Sequence, residues 1–173
     1  EYLLAALARL GCETRSYGIC PDDPADFRAR LAKALDGRPD LVVTTGAVSK
    51  GERDFVAETV AGLGARLLFH GVAIRPGKPV LAARLPEGPV LLGLPGNPVS
   101  SVVGLRFLAV PFLAARLGLA GERPRVLRLE APVEKPAGQP NGMSTATTKA
   151  LRRLISSMAR RYSPIERAGI LVW

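Results

Sequence analysis

The stretch Leu41-Val42-Val43-Thr44-Thr45-Gly46-Ala47-Val48-Ser49-Lys50-Gly51-Glu52-Arg53-Asp54 decides how the rest of the chain is read. Leu41 to Val43 is an unbroken apolar run that follows a turn at Gly37 to Asp40. A run without polar alternation is what a strand covered on both faces requires, and such strands belong to parallel sheets flanked by helices. The loop after it combines two glycines with the hydroxyls of Thr44, Thr45 and Ser49, and then opens a helix. Amides made approachable by glycine, next to the positive end of a helix, suit a phosphate-like anion. The same composition also serves a plain strand-to-helix turn in which Asp54 caps the helix. Its spacing matches neither Gly-x-x-x-x-Gly-Lys-Ser/Thr nor Gly-x-Gly-x-x-Gly.

Upstream, Leu3, Leu4, Leu7 and Leu10 form a helical stripe that stops at Gly11. Glu13 to Ile19 reads as a strand, Pro21-Asp22-Asp23-Pro24 as a turn, and Ala25 to Leu35 as a helix with Phe27, Leu31 and Leu35 on one face. Downstream, a helix is expected from Asp54 to Leu63 and a strand from Ala65 to Phe69. Three short strand-like pieces follow, Val72–Ile74, Pro79–Arg84 and Val90–Gly93, and then a long apolar helix from Pro98 to about Leu117, which Pro111 should kink. This alternation predicts an α/β fold, a three-layer parallel sheet with a mixed edge and helices on both faces. Residues 1–122 are expected to form that domain. Residues 123–173, with a strand from Arg125 to Val133 and a Pro/Gly/Ser/Thr-rich loop from Lys135 to Lys149, are expected to form a small incomplete β or irregular segment.

In such sheets ligands bind beyond the carboxyl ends of the strands, so the loops there carry the chemistry. Asp22 and Asp54 follow different strands and should share a rim, where paired carboxylates facing a phosphate site could hold Mg²⁺. Asp22 and Asp23 could equally be turn and cap residues. Arg75-Pro76-Gly77-Lys78-Pro79 places two cations around a stiff turn, either as an oxyanion clamp or as a solvated basic turn. Pro95-Gly96-Asn97-Pro98, followed by Ser100 and Ser101, offers amides and hydroxyls to an anion or simply caps the long helix.

Composition sets the outer limits. The 173 residues, 47% of them hydrophobic, suffice for one core, and no uninterrupted apolar run is long enough to cross a bilayer. Cys12 and Cys20 with the single His70 make neither a disulfide framework nor a zinc site. The formal charge of +9 favours anionic partners, but aromatics at 5% do not alternate with the basic residues as base-stacking platforms would. A soluble cytoplasmic protein that binds neither membrane nor nucleic acid is expected. Glu1 falls inside the first helical stripe, so a further N-terminal part is expected upstream.

Together the segments resemble one known family. "DLVVTTGAVSKGERDFV" is similar to the T-[ST]-G-G-V-S-x-G-x-x-D signature of the MoeA/gephyrin family, "FHGVAIRPGKPV" to its basic turn, and "LLGLPGNPVSSVV" to its Gly-Leu-Pro-Gly-Asn-Pro-Val-Ser segment. "GICPDDP" fits upstream, and the resemblance runs from about Glu1 to Leu129. It implies a molybdopterin-binding domain that acts on adenylated molybdopterin, releasing the adenylate and inserting molybdate with a divalent cation such as Mg²⁺. It places Asp22 and Asp54 at the acidic, metal-holding positions, and Thr45, Gly46, Ser49 and Gly51 in the pterin-phosphate loop. Arg75 and Lys78 fall in the molybdate-proximal turn, and Asn97 and Ser100 in the third segment. It also implies a homodimer, because family members join two chains at the active site, and it reads 123–173 as a remnant of a C-terminal β domain. Ala47 stands where the family commonly has a second glycine, Gly71 where it usually has lysine, and Arg75 replaces another lysine. A molybdopterin-binding module without turnover is the alternative.

Overall fold

The computed structural model describes residues 1–48, 55–86, 88–120 and 169–172. Chain order is α1 (Tyr2–Arg9), β1 (Glu13–Ser16), α2 (Pro24–Leu35), β2 (Leu41–Thr45), α3 (Phe55–Gly62), β3 (Arg66–His70), β4 (Leu81–Arg84), β5 (Val90–Leu94), α4 (Pro98–Gly104), a π-helical turn (Leu105–Ala109), α5 (Val110–Arg116) and β6 (Gly169–Val172). One six-stranded sheet runs β1-β6-β2-β5-β4-β3. β1, β6, β2 and β5 are mutually parallel, while β4 is antiparallel to both β5 and β3. The expected α/β class with a mixed edge is therefore the fold observed.

Two apolar layers sandwich the sheet. Leu3 and Leu7 of α1, with Leu105, Leu108, Phe112 and Leu113, pack on Leu41, Val43, Leu92 and Leu94. Phe27 and Leu31 of α2, with Val56 and Val60 of α3, pack on Val42, Leu81, Ala83 and Leu91. Alternate residues of β2 and β5 thus feed opposite cores, which is why both strands read as continuous apolar runs. Gly104 lets the long helix approach β5, since a Cβ there would lie 2.6 Å from a Leu94 methyl.

Local chemistry explains the ends. α2 starts because the Asp23 carboxylate accepts from the amides of Ala25 and Asp26 at 2.9 and 2.8 Å, with Pro24 in the first turn. Pro111 has no amide proton to give a carbonyl four residues back, and the Val110 amide bonds to the Leu105 carbonyl instead. The expected kink is therefore a π turn inside a helix that runs from Pro98 to Arg116. That helix is long and apolar enough to cross a membrane by length and composition, yet it contributes much of the first core. Its end is tied down by buried Arg116, whose Nε donates to Asp40 at 3.1 Å ahead of β2.

One expectation changes. Val72–Ile74 forms no strand: the amide of Ile74 bonds to the Val72 carbonyl at 2.8 Å, and the Arg75–Pro76 peptide is cis, so the segment turns. The expected strand over Arg125–Val133 and loop over Lys135–Lys149 lie outside the described residues, as does most of 123–173. The part that is described, Gly169–Val172, joins the main sheet between β1 and β2.

Candidate functional site

Because β1, β6, β2, β5 and β3 run the same way, the loops after each of them emerge on one rim. β4 begins on that rim, so the 71–80 turn lies there too. Every motif singled out in the described residues therefore reaches the same edge of the sheet, as the strand-end rule requires.

Three of these loops interlock. The Gly46 amide donates to the Leu94 carbonyl at 2.9 Å, joining the end of β2 to the end of β5. A Cβ on Gly96 would lie 3.5 Å from the Gly46 Cα, so the two glycine loops pass in contact. A Cβ on Gly77 would lie 3.5 Å from the Ser100 carbonyl and from a Val103 methyl, which seats the basic turn against the start of α4. His70, at the end of β3, bonds through Nε2 to the Val48 carbonyl at 3.3 Å. Ser101 is buried and its hydroxyl reaches the Pro95 carbonyl and, at 3.1 Å, that of Asn97.

Within this cluster Gly46 has φ 88° and Ala47 φ 50°. Glycine takes that conformation freely, whereas an L side chain pays roughly 1–2 kcal/mol for it, so Ala47 carries backbone strain that a glycine would not. Thr45 ends β2 exposed on the rim. Thr44 points inward, and its buried hydroxyl has no hydrogen-bond partner among the described residues. Val48 covers it, packing into the space that Gly93 leaves open.

The basic turn presents both cations to solvent. Arg75 and Lys78 are exposed, while the Lys78 backbone carbonyl accepts from Val72 and Val80 at 2.9 and 3.0 Å. Gly71 closes the same turn with φ 89° and a 2.7 Å bond from its amide to the Val80 carbonyl. Asn97 resolves one open alternative: its side chain accepts from the Ser100 amide at 3.1 Å and caps the long helix. Ser100 itself is buried beneath it.

Asp22 stands apart. It is exposed, between β1 and α2, and its neighbour Asp23 is spent on the helix cap. At roughly 4.8 Å per strand, β1 lies about 10 Å from β2 on one side and β4 about 10 Å on the other, so Asp22 and Lys78 occupy opposite ends of a rim some 20 Å long. Ser49, Gly51 and Asp54 lie outside the described residues, and with them the pairing of Asp22 and Asp54. Among the described residues no three His, Cys, Asp or Glu side chains cluster as a metal site. Burial pushes the Cys20 thiol up, against the pull of Arg30 and with the help of Asp26, Asp23 and Asp22.

Sequence reasoning missed His70, whereas it placed Ser101 beside Ser100 as a hydroxyl for an anion or for the helix start. His70 was legible as the last residue of a strand on the functional rim, although its bond across to Val48 was not. Ser101 repeats the pattern of a helix-opening hydroxyl that folds back on its own loop, which spacing alone does not separate from Ser100.

Comparison with known proteins follows the same segments. A family model described as "Probable molybdopterin binding domain" matches residues 1–115. A molybdopterin molybdenumtransferase of Synechococcus elongatus is 44% identical over 138 residues, covering 79% of this chain and 34% of the relative. Proteins of the same description from Nostoc and Haemophilus influenzae are 37% and 39% identical, covering 69% and 65% of this chain and 28% and 27% of the relatives. The chain thus spans about a third of the length of the relatives it matches.

Proposed function

The chain belongs to the molybdopterin-binding domain family, and from that premise we propose that its rim binds adenylated molybdopterin and serves the insertion of molybdate, with release of AMP. The observation that carries the reading is the interlock of the Gly46, Gly77 and Gly96 loops on one rim, with two cations at its end and a carboxylate at the other. A rim of that length suits an extended ligand with several anionic groups better than a single small oxyanion.

Each residue has a task its position permits. In this reading the Gly46–Ala47 turn meets the pterin phosphate, and Thr45, Ser49, Gly51 and Ser100 belong to the same binding loops. Lys78, a compact point charge, and Arg75, a planar fork, attract and orient molybdate. Neither is ion-paired among the described residues, so their charge is available to an anion. Asn97 acts indirectly by capping the helix on which Ser100 rides. Mg²⁺ keeps several waters and is held by one or two carboxylates together with substrate phosphates, and an exposed Asp22 fits that donor set, with Asp54 as the second. A bound Mg²⁺ would neutralise charge on the substrate phosphates. A homodimer, in which a second chain helps to close the rim, belongs to the same proposal.

Molybdate-dependent formation of active cofactor from adenylated molybdopterin tests this directly, with AMP measured alongside. Turnover that saturates in molybdate and falls on Lys78→Ala supports the reading. Tight pterin binding without AMP release selects the second reading, a non-catalytic module, which Gly71 in place of the family's lysine favours.

A further inference from the structure

The strand next to β1 comes from the far end of the chain. β6 pairs in parallel with all four residues of β1, Glu13 to Ser16, and with Leu41 to Val43 of β2. β1 is the edge strand, so among the described residues β6 is its only sheet partner. α1 contacts both β1 and β6. The result is a strand–helix–strand unit whose first strand is not connected to its helix but arrives after residues 121–168.

We infer that the gap between β1 and β2 is a strand-acceptor site, that Gly169–Val172 occupies it in cis, and that this strand holds the Asp22 loop on the rim. Three observations support a separable occupant. The pairing is short, four residues on one side and three on the other. It is parallel throughout, the weaker of the two ladder types. β6 lies far along the sequence from both of its partners, and closing a contact between such distant residues costs chain entropy. The rest of the sheet, β2-β5-β4-β3, is bonded without β6 and sits between both cores. When β6 leaves, Leu41–Val43 present an open edge and β1 loses its hydrogen-bonded tie to the sheet. Asp22 then keeps only its anchor at the Asp23 cap of α2, whose Phe27 and Leu31 stay packed on the central sheet. A fitting occupant is an extended apolar segment of about four residues that adds by main-chain pairing.

The test needs no pterin, so it can fail independently of the function proposed above. Native-state amide exchange on the full chain should show the bonded amides of β1 and β6 opening together, at least about 100-fold faster than those of β2 and β5. A chain ending at Ala168 should keep protection in β2 and β5 and lose it in β1. A peptide of residues 167–173 added to it should restore β1 protection saturably. Trp173, the only tryptophan in the sequence, reports that docking by a saturable rise in fluorescence anisotropy which a scrambled peptide does not give. Ile170→Pro in the full chain should mimic the truncation, because proline removes a ladder donor. The inference is overturned by β1 amides as protected as those of β2, by a truncated chain that keeps β1 protection unaided, or by one that loses β2 and β5 as well.

Discussion

The two ends of the functional rim are held by different means. At one end the Gly96 loop lies on Gly46, Gly77 lies on the start of α4, and the Gly46 amide is bonded to the Leu94 carbonyl of β5. At the other end the Asp22 loop hangs from an edge strand bound to the rest of the sheet through β6, and from the Asp23 cap of α2. The backbone of the glycine loops is thus set by packing, whereas exposed Asp22 is held between an edge strand and the Asp23 cap of α2. Preorganised donors act without reorganisation cost when an anion docks.

The strongest way to break that comparison is to unlock the interlocked end. Gly93→Val places a side chain where a Cβ would already sit 2.5 Å from a buried Val48 methyl. Overpacking of this kind costs about 1–3 kcal/mol, and the upper end is expected because Val48 is itself the start of the glycine loop. Urea unfolding reads the loss, and pterin affinity should fall with it.

Lys78→Ala removes an exposed charge and leaves the turn's backbone bonds in place. One charge-assisted contact corresponds to about a 10- to 100-fold drop in molybdate-dependent rate, with pterin affinity changed far less. An equal loss in both assays would make Lys78 a pterin contact.

Gly71→Lys sharpens the comparison by asking whether the basic turn accepts another cation. The family usually has lysine there, which suggests a gain in rate, but φ 89° at Gly71 means that a side chain strains the turn. Stability should fall by about 1 kcal/mol, and any gain at low molybdate should be smaller than one added charge would provide. Thermal unfolding together with the rate separates the two effects.

The smallest expected effect runs the other way. Ala47→Gly relieves a left-handed alanine at φ 50° and should stabilise the chain by up to about 1 kcal/mol, less the entropy that glycine adds to the unfolded state. Pterin affinity should hold or rise slightly.

Much of this was legible in the sequence for definable reasons. The apolar run at Leu41–Val43 announced a strand covered on both faces, and β2 has helices above and below it. Pro111 announced a disturbed helix and produced a π turn. Strand-end placement brought Asp22, Gly46, Lys78 and Asn97 to one rim. The tertiary pairings were not legible. Nothing in Gly169-Ile170-Leu171-Val172 says which gap in a sheet it fills, because main-chain pairing is nearly blind to side-chain identity. Nor does Gly93 announce that Val48 needs its missing Cβ, since that contact joins β5 to the loop after β2, far apart in sequence. Asn97 looked like a ligand and a cap alike, and only its bond to the Ser100 amide separates the two.

If the interlocked loops form the molybdopterin site, titration of the isotopically labelled chain with molybdopterin should show it amide by amide. Saturable shifts are expected at Gly46, Ala47, Gly77 and Ser100 at ligand concentrations where Gly37 and Gly64, on turns at the opposite edge, stay unchanged. Saturable binding that leaves all four of those amides unmoved would contradict it.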